Sequence, residues 1–403
     1  MKVNFPTNFL WGSSISSYQV EGDNVKSDWF LWERKNNLKE ALKAADHYNL
    51  FSQDFDIAKS LGHNALRLSL EWGRVFPDKK TVANHEVEHY LRVVEDLTKK
   101  EIVPIVTLHH FTNPAWLSAE GGWCDEKVID HFLAYVKLMA SKLKGHVDFW
   151  ITFNEPAVYI YNAFIRGIWP PGVKSVRMAL KALNNILEAH ALAYRAIKLI
   201  YGDKSPSHVS IAKHMRVFSP CPHLNFGQNN ILAFLRNKIF NFYILDRLAE
   251  KRCLDFIGLN YYCREYVKPG IFLLGEGCKD AHHNDARTAL NWFIYPEGLY
   301  EILTRLKKYK IPIIVTENGM PESKDYPCQD FLYSHLRSLA KALEEGVDVR
   351  GYMWWSLLDN FEWDEGYDYK FGLVKVDFDN FARYIRPFAL EYKKICEENA
   401  VDI

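Results

Sequence analysis

The chain has no C-x-x-C pair. Its seven cysteines, Cys124, Cys221, Cys253, Cys263, Cys278, Cys328 and Cys396, are scattered and odd in number. That argues against a disulfide framework or a structural zinc site and fits a reducing compartment. The N-terminus, from Met1 to Pro6, lacks the apolar core of a secretion signal, and no later run is long and apolar enough to span a bilayer. The expected location is therefore the cytoplasm. There is no net charge, with 50 basic and 50 acidic residues, which gives no reason to expect nucleic acid or an anionic membrane as partner. No glycine-rich dinucleotide loop follows the first predicted strand, which speaks against an open doubly wound sheet. No linker, low-complexity tract or charge block divides the chain, so residues 1–403 are read as one domain, large enough for a sizeable core.

Two stretches stand out among what is present. Ile313-Ile314-Val315-Thr316-Glu317-Asn318-Gly319 is a strand-forming run that ends in a carboxylate, an amide and a glycine. Phe149-Trp150-Ile151-Thr152-Phe153-Asn154-Glu155-Pro156 repeats that pattern, and Pro156 bars further sheet pairing.

Strand and helix patterns alternate around them. Strands are predicted at 9–16, 65–72, 103–111, 149–155, 209–217, 255–262, 312–317 and 349–358. Helices are predicted at 54–61, 86–100, 127–143, 175–200, 231–251, 296–309, 331–345 and 385–397. Ser175 is a plausible cap for the long fourth helix, and Pro296 suits the first position of the sixth. Residues 268–291, rich in Gly, His and Asp, read as a long loop. Eight such alternations predict parallel strands with helical crossovers, closed into a (β/α)8 TIM barrel. Its active site is expected at the C-terminal ends of the strands.

Glu155 and Glu317 fall at two of those ends, on strands four and seven, roughly across the barrel. A lone glutamate is usually a solvated charge or an ion-pair member. Two that terminate strongly apolar strands beside an Asn are costly to place there, so function explains them better. Two facing carboxylates can cleave a glycoside. One protonates the leaving oxygen; the other attacks the anomeric carbon if the gap is about 5–5.5 Å, or activates a water if it is about 6.5–9.5 Å.

The motifs Ser17-Tyr18-Gln19-Val20-Glu21-Gly22, Leu66-Arg67-Leu68-Ser69-Leu70-Glu71-Trp72, Leu108-His109-His110-Phe111, Thr152-Phe153-Asn154-Glu155-Pro156, Asn260-Tyr261-Tyr262, Thr316-Glu317-Asn318-Gly319 and Trp355 to Trp363 follow one another in order. Together the chain resembles glycoside hydrolase family 1, the retaining β-glucosidase and β-galactosidase family, nearly end to end. The resemblance implies that Glu155 is the acid/base and Glu317 the nucleophile, with Arg67 and Tyr262 beside Glu317. Asn154 would bind the sugar 2-hydroxyl. Gln19, His110, Glu362 and Trp363 match the sugar-binding set, with Trp355 as an apolar platform and Trp292 in the outer wall. An Arg beside Glu317 favours its ionised form, and an apolar wall around Glu155 would raise its pKa. Glu362 can accept two hydroxyl hydrogen bonds but would repel a 6-phosphate. His110 could instead be a barrel histidine, Trp355 a core residue and Tyr262 a structural hydroxyl.

The implied function is an exo-β-glycosidase without cofactor, acting on a small-molecule β-glycoside or oligosaccharide. A transglycosidase would use the same carboxylates. A sugar-binding relative without activity would be expected to lack one of them. The chain departs from the family in its length, in short connections before and after strand six, and in Thr112-Asn113-Pro114 where many members have Asp-Leu-Pro. These changes bear on the leaving-group side of the pocket.

Overall fold

The computed structural model describes residues 2–203, 205–222, 227–270, 275–278 and 285–402. Eight strands are central to it: β1 (Leu10–Ser14), β2 (Ala65–Ser69), β3 (Val103–Thr107), β4 (Phe149–Asn154), β5 (His208–Pro220), β6 (Ile257–Lys268), β7 (Ile313–Asn318) and β8 (Val349–Trp355). Each pairs in parallel with its neighbours. The barrel is closed by β8 on β1 (Gly351 opposite Leu10) and by β5 on β6 (Ala212 opposite Gly258). This is the (β/α)8 barrel predicted from the alternation.

Both faces of these strands are buried, one against helices and one against the barrel interior, which is why they read as near-continuous apolar runs. Ala65, Ile105, Ile151, Ala212, Phe256, Ile314 and Met353 form a separate apolar cluster contributed by most of the strands. The surrounding helices bury one stripe each. In the helix Asn84–Lys99, Val87, Tyr90, Val93, Val94 and Leu97 recur at helical spacing and are buried. Ser175 caps the helix Val176–Tyr201 by accepting from Met178 N–H at 3.3 Å.

Several boundaries differ from expectation. The helix expected from Asp54 begins at His47, where the His47 imidazole bonds Asp54 two turns on, at 2.7 Å. The single helix expected over 231–251 is three segments, Gln228–Arg236, a widened turn Asn237–Phe242, and Tyr243–Glu250. Asn241 supplies the reason: its side chain takes Arg216 N–H at 3.1 Å and gives to Arg216 C=O at 2.7 Å, drawing the turn onto β5. Strands β5 and β6 run past the barrel rim and keep pairing, Val217 with Arg264 through Pro220 with Val267. The loop expected over 268–291 is therefore shorter, and Glu276–Gly277 folds back on β6; residues 271–274 and 279–284 lie outside the described residues.

That extension also corrects the cysteine reading. Cys221 N–H donates to Val267 C=O and Cys278 N–H to Tyr266 C=O. The two strand edges bring Cys221 and Cys278 to a Cα separation of 6.0 Å, and they are joined as a disulfide. Sequence spacing could not show this, because the residues are 57 apart and meet only through the paired strands. Cys124, Cys253, Cys263, Cys328 and Cys396 are free thiols. Among the described residues no helix is long and apolar enough to cross a membrane.

Gly319 follows the β7 terminus, where β8 passes so close that a Cβ would stand 2.2 Å from Trp355 C=O. A Gly319→Ala variant must displace the Trp355 carbonyl. It should lose about 1–3 kcal/mol of stability, read as a shifted denaturant midpoint, and lose activity beyond what reduced folded protein explains.

Candidate active site

Glu155 and Glu317 both end up buried at the same end of the barrel, 6% and 3% exposed. Pro156 stops β4 and starts a short helix, and Glu155 takes up the turn with φ of 43°, a left-handed conformation that costs energy for a side chain of this size. Glu317 sits inside β7, one residue from its end.

The two carboxylates are tied together by a chain of hydrogen bonds. Arg67, at the middle of β2 and wholly buried, donates Nη1–H to Glu317 Oε1. Its Nη2–H goes to Asn154 Oδ1 at 2.7 Å and its Nε–H to Thr107 Oγ1 at 3.1 Å. Asn260 Nδ2 donates both to Asn154 Oδ1 at 3.1 Å and to Glu155 Oε1 at 2.7 Å. Asn260 is itself held by Thr316 Oγ1 at 2.6 Å. Tyr262 O–H donates to Glu317 Oε2 at 2.5 Å. Strands β2, β4, β6 and β7 thus each send a polar side chain to one point.

The other expected residues gather around it. Asn154 Nδ2 donates to His110 Nε2 at 3.1 Å. The His110 ring lies parallel to Trp355 and Trp363, with centroids 5.9 and 6.1 Å away. His110 Nδ1 is buried and has no hydrogen-bond partner among the described residues. Gln19 Nε2 donates to Asn360 Oδ1, Phe361 C=O and Glu362 Oε2, at 2.9, 2.9 and 3.2 Å. Trp292 packs on Tyr262 with centroids 5.6 Å apart, in an apolar cluster that includes Trp355. Every residue singled out from the sequence is therefore at this end of the barrel. The unusual Asn113 is used below it: its amide nitrogen donates to Asp28 at 2.9 Å, and its oxygen accepts from Trp123 at 2.8 Å.

One expectation is corrected. Glu155 does not face an apolar wall. Besides Asn260, His214 on β5 meets Glu155 Oε1 at 3.1 Å, and the buried Lys213 ammonium lies nearby against Phe240. Burial raises Glu155, but the His214 imidazole, the two hydrogen bonds and Lys213 bring it below its ordinary value. Burial pushes Glu317 up to about 7, against the pull of Arg67 and with the push of the Glu155 charge. His214 is itself held below its ordinary pKa by burial and by Arg216, against the pull of Glu155, and Lys213 is lowered by burial to about 7. His214 and Lys213 were not picked out from the sequence, and Asn260 appeared there only within a motif, with no role given to it. Asn260 could have been, since it ends the apolar run Phe256-Ile257-Gly258-Leu259 as Asn154 ends its own. His214 follows a lysine in a run of mixed character and carries no such signal.

A closed (β/α)8 barrel with paired carboxylates at its strand ends defines this protein as a glycoside hydrolase. The chain belongs to glycosyl hydrolase family 1, whose sequence model matches residues 1–250 and 245–401. It is similar to beta-glucosidase A of Thermotoga maritima, 31% identical over an alignment of 446 positions that covers 99% of each chain. A 6-phospho-beta-galactosidase of Clostridium acetobutylicum is 28% identical, covering 98% of this chain and 97% of that one. Among solved structures, a beta-glycosidase from Pyrococcus horikoshii superposes with a TM-score of 0.93 at 33% identity, over 100% of this chain and 97% of that chain.

Arg67→Met should strip Glu317 of its cation. Its pKa then rises further, by about one unit or more; with Glu317 as the nucleophile that the family resemblance implies, the acidic limb of kcat/KM should move to higher pH. A pH–rate profile checks this. Stability follows a related sign. Burial, with the fields of Glu317 and Asp364, pushes Glu362 up to about 8. The folded state then holds a proton that the unfolded state gives up above about pH 4.5, so stability should fall as pH rises from 5 to 8. In Glu362→Gln the melting temperature should fall less over that window, which calorimetry can measure.

Proposed function

We propose that the protein is a retaining exo-β-glycosidase that removes terminal, non-phosphorylated β-D-glucosyl, galactosyl or fucosyl residues through a covalent glycosyl-enzyme, with residues 1–403 acting as one catalytic domain. The hydrogen-bond chain from Glu317 through Arg67, Asn154 and Asn260 to Glu155 carries this reading. It puts a buried cation on one carboxylate and only neutral donors and an imidazole on the other.

That asymmetry divides the roles. Arg67 is buried and Glu317 is its one carboxylate partner among the described residues, so protonating Glu317 would leave a buried charge unpaired, at a cost of several kcal/mol. The pull that keeps Glu155 low is drawn largely from a charged His214, yet His214 resists protonation where it lies. With neutral imidazole, burial governs Glu155 and it keeps its proton. A neutral Glu155 no longer repels a charge on Glu317. The self-consistent state is Glu155 protonated and Glu317 ionised.

The reaction then runs in two displacements. Glu317 attacks the anomeric carbon as the C–O bond to the leaving group breaks, and the Glu155 proton goes to the departing oxygen. Glu155, now a carboxylate, takes a proton from water, whose oxygen attacks the same carbon and frees Glu317. Asn154, between Arg67 and His110, is placed for the 2-hydroxyl. The unpartnered His110 Nδ1 suits another sugar hydroxyl. Gln19 and Glu362 face the far side of the sugar, with Trp355 and Trp363 as its apolar floor and Trp292 toward the leaving group.

Glu362 argues against a phosphorylated glycone, although a 6-phospho-beta-galactosidase is among the relatives. Its carboxyl, kept protonated up to about pH 8 by burial and by the fields of Glu317 and Asp364, can donate to a neutral hydroxyl, while a phosphate dianion would add to the negative charge of Glu317 and Asp364. A β-glucoside should therefore exceed its 6-phosphate in kcat/KM by about 100-fold or more, measured with the two aryl glycosides side by side.

A 2-deoxy-2-fluoro β-glucoside should label Glu317, located by peptide mass spectrometry; label elsewhere, or turnover without label, overturns the assignment. Glu155→Gln should lose turnover of substrates with poor leaving groups by about 100-fold or more and suffer less on activated aryl glycosides. Equal loss on both counts against the acid role.

A further inference from the structure

The polar surroundings of Glu155 include one group that the reaction above does not use. His214 Nδ1 lies 3.1 Å from Glu155 Oε1, and Arg216 Nε lies 2.8 Å from His214 Nε2. A guanidinium Nε always carries its hydrogen and has no lone pair to offer. His214 Nε2 must therefore be the acceptor. A neutral imidazole has one N–H, so it is on Nδ1 and points at Glu155. Protonation of Nε2 would set an N–H against an N–H beside a cation, which agrees with the lowered pKa of His214.

We propose that His214, fixed in its Nδ1–H form by Arg216, is a positioning residue that commits the two oxygens of Glu155 to different tasks. Oε1 accepts from His214 and from Asn260, at 3.1 and 2.7 Å. An oxygen that already receives two N–H groups is a poor place for a proton. The proton of Glu155 therefore resides on Oε2, which receives no hydrogen bond from the described residues. Oε2 is then the atom that gives its proton to the leaving oxygen and later takes one from water, while the Oε1 contacts persist through both steps. The inference rests on reading Glu155 as the acid/base.

The remaining groups around the pair fit this arrangement. Lys213 on the same strand turns its ammonium to His214 C=O and the Phe240 ring. Arg216 is held from the other side by Glu265 on β6 at 2.8 Å, and Arg236 pairs with the same Glu265. Tyr262 on β6 lies parallel to the imidazole at 5.7 Å between centroids, and its hydroxyl is turned to Glu317 on β7. Arg67 reaches the pair only through Asn154, and Glu362 is directed to Gln19. None of these groups competes for Nδ1.

The test is the pH dependence of kcat/KM, whose alkaline limb reports loss of the acid's proton in the free enzyme. His214→Leu removes a donor that favours ionised Glu155, so the alkaline limb should move up by about one unit. Turnover of poor leaving groups should fall with it. His214→Asn can return an amide N–H to Oε1 and should keep the parent's limb. Arg216→Met frees Nε2 and removes the cation that keeps the imidazole neutral; an imidazolium favours ionised Glu155 more strongly, so the limb should move down, opposite to His214→Leu. A His214→Leu profile that superposes on the parent overturns the proposal, as does an Asn variant shifted as far as the Leu variant. If His214→Leu does not fold, an unshifted Arg216→Met overturns it instead. Glu155→Gln separates the two levels. If it abolishes the alkaline limb, the acid reading stands whatever the histidine variants show. If the limb persists, that reading fails and takes the positioning role with it.

Discussion

A single buried cation governs this site. The Arg67 guanidinium, without solvent contact, must place all its donors inside the protein, and it does so on three strands: Thr107 on β3, Asn154 on β4 and Glu317 on β7. The cost of burying that charge is offset only while Glu317 stays ionised and in place. The barrel provides the rigidity this needs, since each partner is anchored in a strand paired on both sides. The same fork that keeps one carboxylate charged also orients the amide of Asn154, which then fixes the tautomer of His110 by donating to Nε2. Charge state, amide orientation and imidazole tautomer are thus one linked choice.

The opposite wall works by a different rule. Glu155 receives no guanidinium. Its neighbours Asn260 and His214 are neutral donors, and the cations behind them, Lys213 and Arg216, are turned to a carbonyl, an aromatic ring, the imidazole and Glu265. Positive charge is near enough to bias Glu155 but is kept out of direct contact. In the proposed role Glu155 changes charge twice in each turnover, and such a carboxyl cannot be locked into either state. The Arg67 contact would lock it. A purely apolar wall, which was the expectation, would hold it neutral and resist the second step. The polar, indirectly charged wall permits both.

The architecture was legible because its signals are local. Strands buried on two faces, such as Ile313–Asn318 and Phe149–Asn154, show as apolar runs, and the glutamates stand out against them. Helices with one buried stripe, such as Asn84–Lys99, show as period. What was not legible depends on contacts between distant residues. The widened turn Asn237–Phe242 exists because Asn241 reaches Arg216, and nothing within 231–251 signals it. The pairing of β5 with β6 beyond the rim lengthens both strands and joins Cys221 to Cys278, although neither strand's own pattern extends that far. His47 starts its helix early because it answers Asp54. His214 is the functional instance of the same blindness: its meaning depends on Arg216 two residues on, and on Glu155 one strand away.

The departures from the family pattern can be weighed by the same distinction between contact and period. Asn113 is a polar residue in a buried place. A buried amide with any unmet group would be a defect. Here its nitrogen serves Asp28 and Tyr159, its oxygen serves Trp123 and His109, and its own N–H goes to Asp28. Asp28 in turn is pushed up to about 6 by burial, against the hydrogen bonds of Asn113 and Ser118. Asn113 therefore works as part of a set: replacing its side chain would leave the Asp28 carboxylate with Ser118 and the backbone N–H of residue 113, and removing Asp28 would leave the amide nitrogen with Tyr159. The network lies under the segment that carries His109 and His110, so it supports the His110 side of the pocket without touching Glu155 or Glu317. A change of residue type in this place alters what holds the pocket up, while the fork of Arg67 and the two glutamates above it keep their geometry.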